Sequence, residues 1–386
     1  MFSSRFHWDF HPNRLARSLA QKKRAGERLL DLTESNPTRA GIAYPPEILA
    51  AFDDPALLSY DPAPAGARGA REAVAAYYAA RGVRVEPERI LLTASTSEAY
   101  AYLFKLLADP GEHVLVPRPS YPLFEFLAAM ESIEIHPYPL AYHGGWSIDL
   151  DALEAAITPR TRAVALVNPN NPTGSFVKRS ELERLADLCA RRGIAIVSDE
   201  VFSDYAFAPD PQRVATLASF DECLGFALSG LSKVAGLPQM KLGWIVVSGP
   251  AALRAEAMEK LEWIADIYLS AGTPVQCAAA KLLAAGECVR RLIRQRTAAN
   301  LAHARAALAG SAANILEVEG GWYIAVQVPR IRSEEEWALD LLERDNLQTQ
   351  PGFFYDFESE AYLILSVLTE SAVFQEGIAK LRSFVA

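Results

Sequence analysis

Two lysines lie in one apolar, glycine-rich stretch of this chain. Lys233 and Lys241 belong to "GLSKVAGLPQMKLGW", residues 230–244. A lysine ammonium is costly to bury unless it meets an acid or an anionic ligand, so each lysine is expected to have such a partner. A desolvated lysine also has a lowered pKa and can form a Schiff base with a carbonyl compound. The stretch therefore indicates covalent chemistry at one lysine, against the simpler alternative of two surface lysines.

Further polar residues follow predicted strands at the point where each strand ends. Short apolar runs such as "RILLTA", "AVALV", "IAIVS" and "GFALSG" alternate with amphipathic stretches, which is typical of a mostly parallel sheet covered by helices on both faces. Ligands bind such sheets at the carboxyl ends of the strands. The segments directly after these runs are Ser95 to Ser97, the turn 168–174, Asp199 and the Lys233 segment. We expect them to form one site.

One ligand, pyridoxal phosphate (PLP), needs each of these groups. Its aldehyde takes a lysine amine, here Lys233, and its ring nitrogen needs a carboxylate, for which Asp199 is the candidate. Asn171, in a turn rich in proline and glycine, can donate to the phenolic oxygen, and Tyr121 can cover the ring. Taken alone, a capping role for Asp199 and a core position for Tyr121 are the simpler interpretations.

The phosphate of PLP needs backbone N–H groups, hydroxyls and positive charge. A helix N-terminus supplies the N–H groups. The residues predicted to bind the phosphate are Ser95, Thr96, Ser97, Ser232 and Lys241. Because serine and threonine are common helix N-caps, capping without a bound anion stays open for the first three.

The composition is that of a soluble enzyme. The 386 residues carry a formal charge of −9, and no basic run exceeds "QKKR" at 21–24, so we expect no nucleic-acid partner. The sequence shows no signal peptide and no apolar segment of membrane-spanning length, which predicts a cytoplasmic protein without a membrane partner. The 4 scattered cysteines are expected to be reduced core residues, and the 6 histidines show no metal-binding spacing, so no metal site is expected.

Six short motifs follow one another along the chain: "YDPAPAG", "TASTSEA", "PRPSYP", "NPNNPTG", "SDEVF" and "GLSKVAGLPQMKLGW". With these motifs in this order, nearly the whole sequence resembles the fold type I PLP enzymes of the class I and II aminotransferase family. The resemblance implies an α/β fold, a three-layer sandwich with a mostly parallel seven-stranded sheet, and a smaller α+β domain. It implies a large PLP-binding domain at 46–290 and a small domain formed by 1–45 and 291–386.

The resemblance also implies a role for each site residue. Lys233 is expected to form the Schiff base and to carry the proton between the substrate's α-carbon and the cofactor. Asp199 is expected to pair with the ring nitrogen, Asn171 with the phenolic oxygen and Tyr121 with the ring face. The phosphate is expected at Ser95, Thr96, Ser97, Ser232 and Lys241, with Tyr60 reaching it from the neighbouring subunit. The active unit is therefore expected to be a homodimer.

Three positions near the cofactor depart from the family pattern. Lys241 replaces the usual arginine, which keeps the charge but loses two-pronged binding, and Gly230 replaces the usual serine. Phe202 replaces a tyrosine that donates to the phenolic oxygen. Without that donor the phenolate is less stabilised, so we expect the neighbouring imine to keep its proton through neutral pH.

A fourth departure concerns the substrate. Ile364 in "YLILS" lies where the family has an arginine that binds the substrate's α-carboxylate. An isoleucine cannot do this, so either another cation replaces it, or the substrate is held differently or has no carboxylate there. The candidate replacement is Arg39 in "ESNPTRAG", with Asn36 beside it, although a surface role for this arginine is the simpler alternative.

Together these patterns predict a PLP-dependent aminotransferase that exchanges an amino group between an amino acid or other amine and a 2-oxo acid. The alternative is other α-carbon chemistry on the same scaffold, such as β-elimination by a C–S lyase. A non-catalytic PLP-sensing regulator is less favoured, because such proteins need a DNA-binding domain and only a short segment precedes the first family-like motif.

Overall fold

The computed structural model describes residues 2–6 and 8–385. Its strands are β1 (Leu30–Asp31), β2 (Ile90–Thr93), β3 (His113–Arg118), β4 (Glu134–Tyr142), β5 (Trp146–Ile148), β6 (Thr161–Val167), β7 (Ala195–Asp199), β8 (Gly225–Gly230), β9 (Gly243–Ser248), β10 (Asn314–Ile315), β11 (Tyr323–Gln327), β12 (Leu347–Gln348), β13 (Gln350–Pro351) and β14 (Tyr362–Ser366). Its α-helices are α1 (Arg14–Arg24), α2 (Glu47–Ala50), α3 (Arg68–Ala79), α4 (Thr96–Leu107), α5 (Leu123–Met130), α6 (Leu150–Ala156), α7 (Arg179–Arg192), α8 (Leu231–Val234), α9 (Ala251–Tyr268), α10 (Thr273–Leu308), α11 (Glu334–Asp345) and α12 (Ser371–Val385).

The largest sheet contains the strands that carry the site. Its order is β2-β9-β8-β7-β6-β3-β4-β5. The pairs from β8 to β4 are parallel, whereas β9 is antiparallel to both of its neighbours and β5 is antiparallel to β4. The predicted mostly parallel sheet is confirmed. It has eight strands instead of the expected seven, because the three-residue β5 turns back onto β4 at Gly144 (φ 79°), and so short a strand leaves no periodic signal.

Helices cover both faces of this sheet. Successive strand residues point to opposite faces, so neighbours along one strand enter different cores. In β7, Ile196 shares a core with Leu185 of α7, whereas Val197 shares the opposite core with Leu261 of α9. Each strand is therefore apolar on both sides, which explains the continuous apolar runs in the sequence. The predicted three-layer α/β arrangement is confirmed.

A second core surrounds a smaller sheet of order β10-β11-β14-β13. Helices α11 and α12 contribute Leu341 and Phe374 to it, and the N-terminal segment contributes Leu30 of β1. Helix α10 joins the two cores, because Ile293 lies in the large-sheet core and Leu301 lies in the small one. This division supports the boundaries proposed at 46–290 and at 1–45 with 291–386, which stay a prediction.

Two of the four cysteines lie in the large-sheet core. Cys189 and Cys223 are buried free thiols, which confirms their predicted role as core residues. Among the helices within residues 2–6 and 8–385, none is long and apolar enough to cross a bilayer. The same residues contain no cluster of histidine, cysteine, aspartate and glutamate side chains suited to a metal ion.

Candidate active site

Three neighbouring parallel strands of the large sheet end at the candidate site. β6 leads into the turn 168–174, β7 ends at Asp199, and β8 ends just before α8, which carries Lys233. Parallel strands present their carboxyl ends at one edge, so these segments meet there. Asp199 and Lys233 are close enough for the carboxylate charge to raise the pKa of the lysine and for the lysine charge to lower that of the carboxyl.

The amine of Lys233 lies beside two aromatic rings. Its Nζ is 5.0 Å from the ring centre of Trp322 and 5.7 Å from that of Phe202. Within the described chain, this amine has no hydrogen bond and no ion pair closer than 4 Å. Burial lowers the pKa of Lys233, and the charge of Asp199 opposes that shift. A lowered pKa enlarges the neutral fraction of the amine, which is the form that attacks an aldehyde.

The backbone of α8 is held by groups behind the site. Tyr205 Oη donates to the carbonyl oxygen of Lys233 (2.5 Å), and Arg290 Nη1 donates to the carbonyl oxygen of Val234 (3.1 Å). Arg290 also lies 3.7 Å from the carboxylate of Asp204, whose side chain is 4 % exposed. This carboxylate is shared with Tyr77, Arg81 and Arg294. This buried polar cluster therefore holds the backbone that carries Lys233.

Asp199 is a largely desolvated carboxylate at the end of β7. Its Oδ1 accepts a hydrogen bond from the Val201 N–H (3.2 Å), and its Oδ2 accepts one from Tyr100 Oη at a long 3.5 Å. Burial raises the pKa of Asp199 to about 6, although these two bonds and the charge of Lys233 oppose the shift. A cation placed against this carboxylate would favour its ionised form. A protonated ring nitrogen is such a cation.

Asn171 differs from its neighbours in the turn 168–174. Asn168 and Asn170 hold the turn, because Asn168 Oδ1 accepts from the Val177 N–H (3.0 Å) and Asn170 Nδ2 donates to the Pro119 carbonyl (3.1 Å). The buried Oδ1 of Asn171, in contrast, has no hydrogen-bond partner in the described chain. An unsatisfied buried polar group costs about 1–3 kcal/mol, so a ligand is expected here.

Helix α4 begins at the site with donors available for an anion. Ser95 is its N-cap, and Ser95 Oγ accepts from the Glu98 N–H (3.2 Å), so this hydroxyl serves as a cap. Thr96 and Ser97 form the first turn, whose backbone N–H groups lack partners within the helix. Ser232 is half-buried beside Lys233, and Lys241 is exposed on a left-handed residue (φ 50°).

Gly230 allows the strands next to this helix to approach closely. It pairs with Gly243 across β8 and β9, and a Cβ at position 230 would lie 2.9 Å from the Leu242 carbonyl oxygen. A Cβ on Gly243 would in turn lie 2.9 Å from the carbonyl carbon of Ser95. The serine that the family usually has at position 230 would therefore require a shift of this backbone. The close approach of these backbones therefore explains the glycine at position 230.

The substrate side contains tyrosines and apolar residues. Ile364 is fully buried in a small core with Ala325 and Tyr355. Tyr323, at the start of β11, has its pKa raised to about 12 by burial, against a hydrogen bond with Ser35, and nearby Tyr121 and Glu34 raise it further. The packing of Ile364 in this core is apolar and aromatic.

The contacts of three predicted residues do not involve Lys233. Arg39 is exposed and has no ion pair with the described chain, and Asn36 Oδ1 accepts from the Thr38 N–H (3.0 Å) and so fixes its own loop. Tyr60 is 73 % exposed and lines a different cavity, together with Leu269. Tyr121, by comparison, is 46 % exposed and close to Tyr323.

Sequence reasoning missed four aromatic residues of this site. Tyr100 lies one helical turn after Thr96, on the same face of α4, and this spacing could have revealed it. Trp322 and Tyr323 follow Gly320 and Gly321 in the smaller sheet domain, and no local pattern connects them with Lys233. Tyr205 is a core aromatic by sequence, and only its bond to the Lys233 carbonyl identifies its role.

Comparisons with known proteins identify the family and the fold. The model of the family described as aminotransferase class I and II matches residues 28–375, which confirms the resemblance, the enzyme class and PLP as the family's cofactor. The glutamate-pyruvate aminotransferase AlaA of Escherichia coli (strain K12) is 31 % identical over 254 residues, 65 % of this chain and 62 % of that protein. The S-alkyl-thiohydroximate lyase SUR1 of Arabidopsis thaliana is 32 % identical over 230 residues, 58 % of this chain and 49 % of that protein. An alanine aminotransferase from Pyrococcus furiosus shares the fold, with a TM-score of 0.89 at 22 % identity over 100 % of this chain and 99 % of that one. The chain thus spans between about half and three fifths of the two curated relatives.

Proposed function

Because this chain belongs to the class I and II aminotransferase family, we propose that it transfers an amino group between an amino acid or other amine and a 2-oxo acid. The observation that carries this proposal is the amine of Lys233, which lies beside the rings of Phe202 and Trp322 and under the influence of the Asp199 carboxylate. Asn171 adds a buried amide whose Oδ1 has no partner, and its Nδ2 is the atom that would donate to the phenolic oxygen. These groups fit PLP, which, when bound, withdraws electrons from the substrate's α-carbon.

Lys233 performs the proton chemistry in this proposal. Its amine would hold the cofactor's aldehyde carbon and, once an amino substrate has replaced it there, would take the proton from the substrate's α-carbon. The lowered pKa of Lys233 supports this role, because a general base must be neutral near the working pH. Phe202 and Trp322 flank Nζ with aromatic rings, and the bond from Tyr205 to the lysine carbonyl fixes where the side chain begins.

The other cofactor contacts are assigned by the same reasoning. Asp199 would hold the ring nitrogen and keep it protonated, and Asn171 would donate to the phenolic oxygen. Tyr121 would cover the ring. The N-terminus of α4 would hold the phosphate, and the residues assigned to it are Ser95 through its backbone, Thr96, Ser97, Ser232 and Lys241.

We propose Arg39 as the group that binds the substrate carboxylate, with Asn36 holding its loop. The loop is tied to β14, the strand that carries Ile364, because Ser366 Oγ donates to the Glu34 carbonyl oxygen (2.6 Å). The free guanidinium therefore lies on a segment adjoining the substrate side. Arg39→Ala is expected to raise KM for an amino acid donor about tenfold while kcat changes little, since one charge-assisted contact is lost. An unchanged KM would remove Arg39 from the site.

We also propose that the active unit is a homodimer in which Tyr60 reaches the neighbour's phosphate. Large apolar side chains near Tyr60 and along α9 are exposed: Leu58 is 93 %, Trp263 is 70 % and Ile267 is 78 % exposed. Exposed apolar side chains of this size suit a subunit interface. Sedimentation analysis of the wild type should give a dimer, and Trp263→Asp should shift it towards the monomer; a monomeric wild type would contradict the proposal.

The cytoplasmic location stays a prediction.

The reaction itself is tested by single-turnover product analysis. The PLP-loaded protein is mixed with an amino donor in the absence of an acceptor, beginning with alanine, glutamate and tyrosine. Transamination is expected to give pyridoxamine phosphate and the matching oxo acid in equal amounts. Ammonia and pyruvate from a cysteine conjugate, without pyridoxamine phosphate, would instead favour the β-elimination chemistry suggested by the likeness to the thiohydroximate lyase.

A further inference from the structure

Residues 319–322 connect the smaller sheet with the cofactor side of the large sheet. This segment leads into β11, yet the N–H groups of Glu319 and Gly320 donate to the carbonyl oxygen of Gly174 (3.2 and 3.0 Å). A Cβ on Gly320 would lie 2.6 Å from the Tyr205 carbonyl oxygen, so glycine is needed for this close approach. The segment therefore lies against the turn that ends at Gly174 and against the residues that follow β7.

The side chain of Glu319 adds a charged contact at this junction. Its Oε2 accepts a hydrogen bond from the Phe176 N–H (2.7 Å), and its Oε1 forms an ion pair with Lys178 Nζ and lies 3.6 Å from Arg213 Nη2. Asp210 shares both cations, at 3.1 Å from Lys178 and 3.6 Å from Arg213. The Glu319 side chain is 22 % exposed, and a partly buried carboxylate with one N–H and two cationic partners is held more firmly than an exposed ion pair. Glu319 therefore ties this segment to elements of the large sheet.

The segment ends at the ring that lies beside Lys233. Trp322 is fully buried, and its ring centre lies 5.0 Å from Lys233 Nζ. The ring packs against Phe202 and Tyr205, whose ring centres are each 5.1 Å away. Because Glu319 lies only three residues before Trp322, fixing Glu319 limits where this ring can lie.

We propose that Glu319 is a positioning residue for Lys233, because its carboxylate fastens the segment 319–322 and so holds the Trp322 ring beside the amine. Glu319 acts through Trp322 and not through a contact of its own with the amine, since the hydrogen bond and ion pairs of its carboxylate go to other residues. The inference rests on the proposed function of Lys233 as the amine that would bind the cofactor and move the proton. A substitution at Glu319 should therefore change the properties of Lys233 from a distance.

The direction of this change follows from the sizes of the opposing effects. Burial lowers the pKa of Lys233 and is the largest influence on it, and desolvation can move a lysine pKa by up to about 3–5 units. Attraction between an ammonium and an aromatic ring raises the pKa by about one unit, which is the smaller effect. The charge of Asp199, which also raises the pKa, stays in place. Releasing the Trp322 ring should therefore raise the pKa of Lys233, whereas loss of the Glu319 charge alone would lower it.

Competitive labelling with acetic anhydride tests this inference. The full-length protein, freed of PLP, is labelled at a series of pH values, and peptide mapping gives the pKa of the Lys233 amine. We expect Glu319→Ala to raise this pKa by about one unit, which is a roughly tenfold loss of neutral amine at pH values below that pKa. The measurement needs neither cofactor nor substrate, so its outcome is independent of the proposed reaction, which the product analysis tests separately.

Two further variants control for charge and for folding. Glu317→Ala removes the same charge from the residues between β10 and β11, but Glu317 is 53 % exposed and pairs with Arg305 (3.2 Å), so the pKa of Lys233 should stay unchanged. Glu319→Gln keeps an acceptor for the Phe176 N–H and loses the ion pairs, so a smaller rise is expected, and this variant decides the question if the alanine variant does not fold. A Lys233 pKa that is unchanged or lowered in the folded Glu319 variants would overturn the inference, and so would an equal rise in Glu317→Ala.

Discussion

The cofactor side and the substrate side of this site differ in the polarity of the side chains that line them. On the cofactor side, Lys233 has no hydrogen bond or close ion pair in the described chain, and the buried oxygen of Asn171 has no partner. On the substrate side, Ile364 is buried in an apolar core, and Tyr355 Oη donates to Gln350 (2.5 Å). Unmet polar groups indicate a ligand and its chemistry, whereas the apolar packing around Ile364 does not. This difference explains why the cofactor is easier to identify than the substrate.

The largest effect that separates the two sides is expected at Lys233. Lys233→Ala should lower kcat by about 10⁴-fold, because the general base is lost together with the covalent attachment. Borohydride reduction of the PLP-loaded protein, followed by peptide mapping, should place the label on Lys233 in the wild type. Lys241→Ala is the matched control from the same stretch and should keep the label. A label on Lys241 would exchange the roles of the two lysines.

The next largest effect is expected at Asp199. Asp199→Asn should lower kcat by about 10²–10³-fold, because the charge that stabilises the protonated ring nitrogen is lost. The variant should also change Lys233. The charge of Asp199 raises the lysine's pKa, so its removal should lower that pKa further and move the pH dependence of PLP uptake to lower pH. Stopped-flow absorption measures this uptake, and an unmoved profile would mean that Asp199 does not act on Lys233.

On the substrate side, Ile364 is expected to affect stability more than binding. Ile364→Ala should lower the free energy of unfolding by about 2–5 kcal/mol, because a fully buried side chain leaves a cavity, while Ile364→Val should cost only about 0.5–1.5 kcal/mol. Urea unfolding gives these values. The KM of the folded variants should stay within a few-fold of the wild type. A large rise in KM without loss of stability would show that position 364 contacts the substrate.

The sequence predicts which polar groups meet on the cofactor side because each of them follows a strand of one parallel sheet. The ends of β6, β7 and β8 carry Asn171, Asp199 and Lys233 to one edge, and the alternation of strands and helices is enough to predict this. The sequence could not show that Ser95 caps a helix while the Oδ1 of Asn171 lacks a partner, because both residues simply follow a strand.

The aromatic wall beside Lys233 could not be predicted from local patterns. Trp322 belongs to the segment that leads into β11 of the smaller sheet, and it reaches the lysine through packing against Phe202 and Tyr205, each at a ring-centre distance of 5.1 Å. The apolar environment of Ile364 likewise depends on β11 and β14 pairing, which places Ala325 opposite it. Such contacts join elements far apart in the chain and are set by tertiary packing.

The smallest expected effect concerns Phe202, which lies near Lys233 on the cofactor side. The ring already lies 5.7 Å from the lysine amine, so Phe202→Tyr adds a hydroxyl close to where the family's tyrosine donates to the phenolic oxygen. That donor stabilises the phenolate and weakens the hold of the neighbouring imine on its proton, so the proton should leave at lower pH in the variant. A hydrogen bond to a charged group is worth about 1.5–3 kcal/mol, or roughly one to two pKa units. A pH titration of the visible absorption of the PLP-loaded protein measures this shift, with Phe202→Leu as the control that adds no hydroxyl. The idea fails if the imine of the Phe202→Tyr variant loses its proton at the same pH as that of the wild type. It also fails if the wild-type imine already loses its proton well below neutral pH.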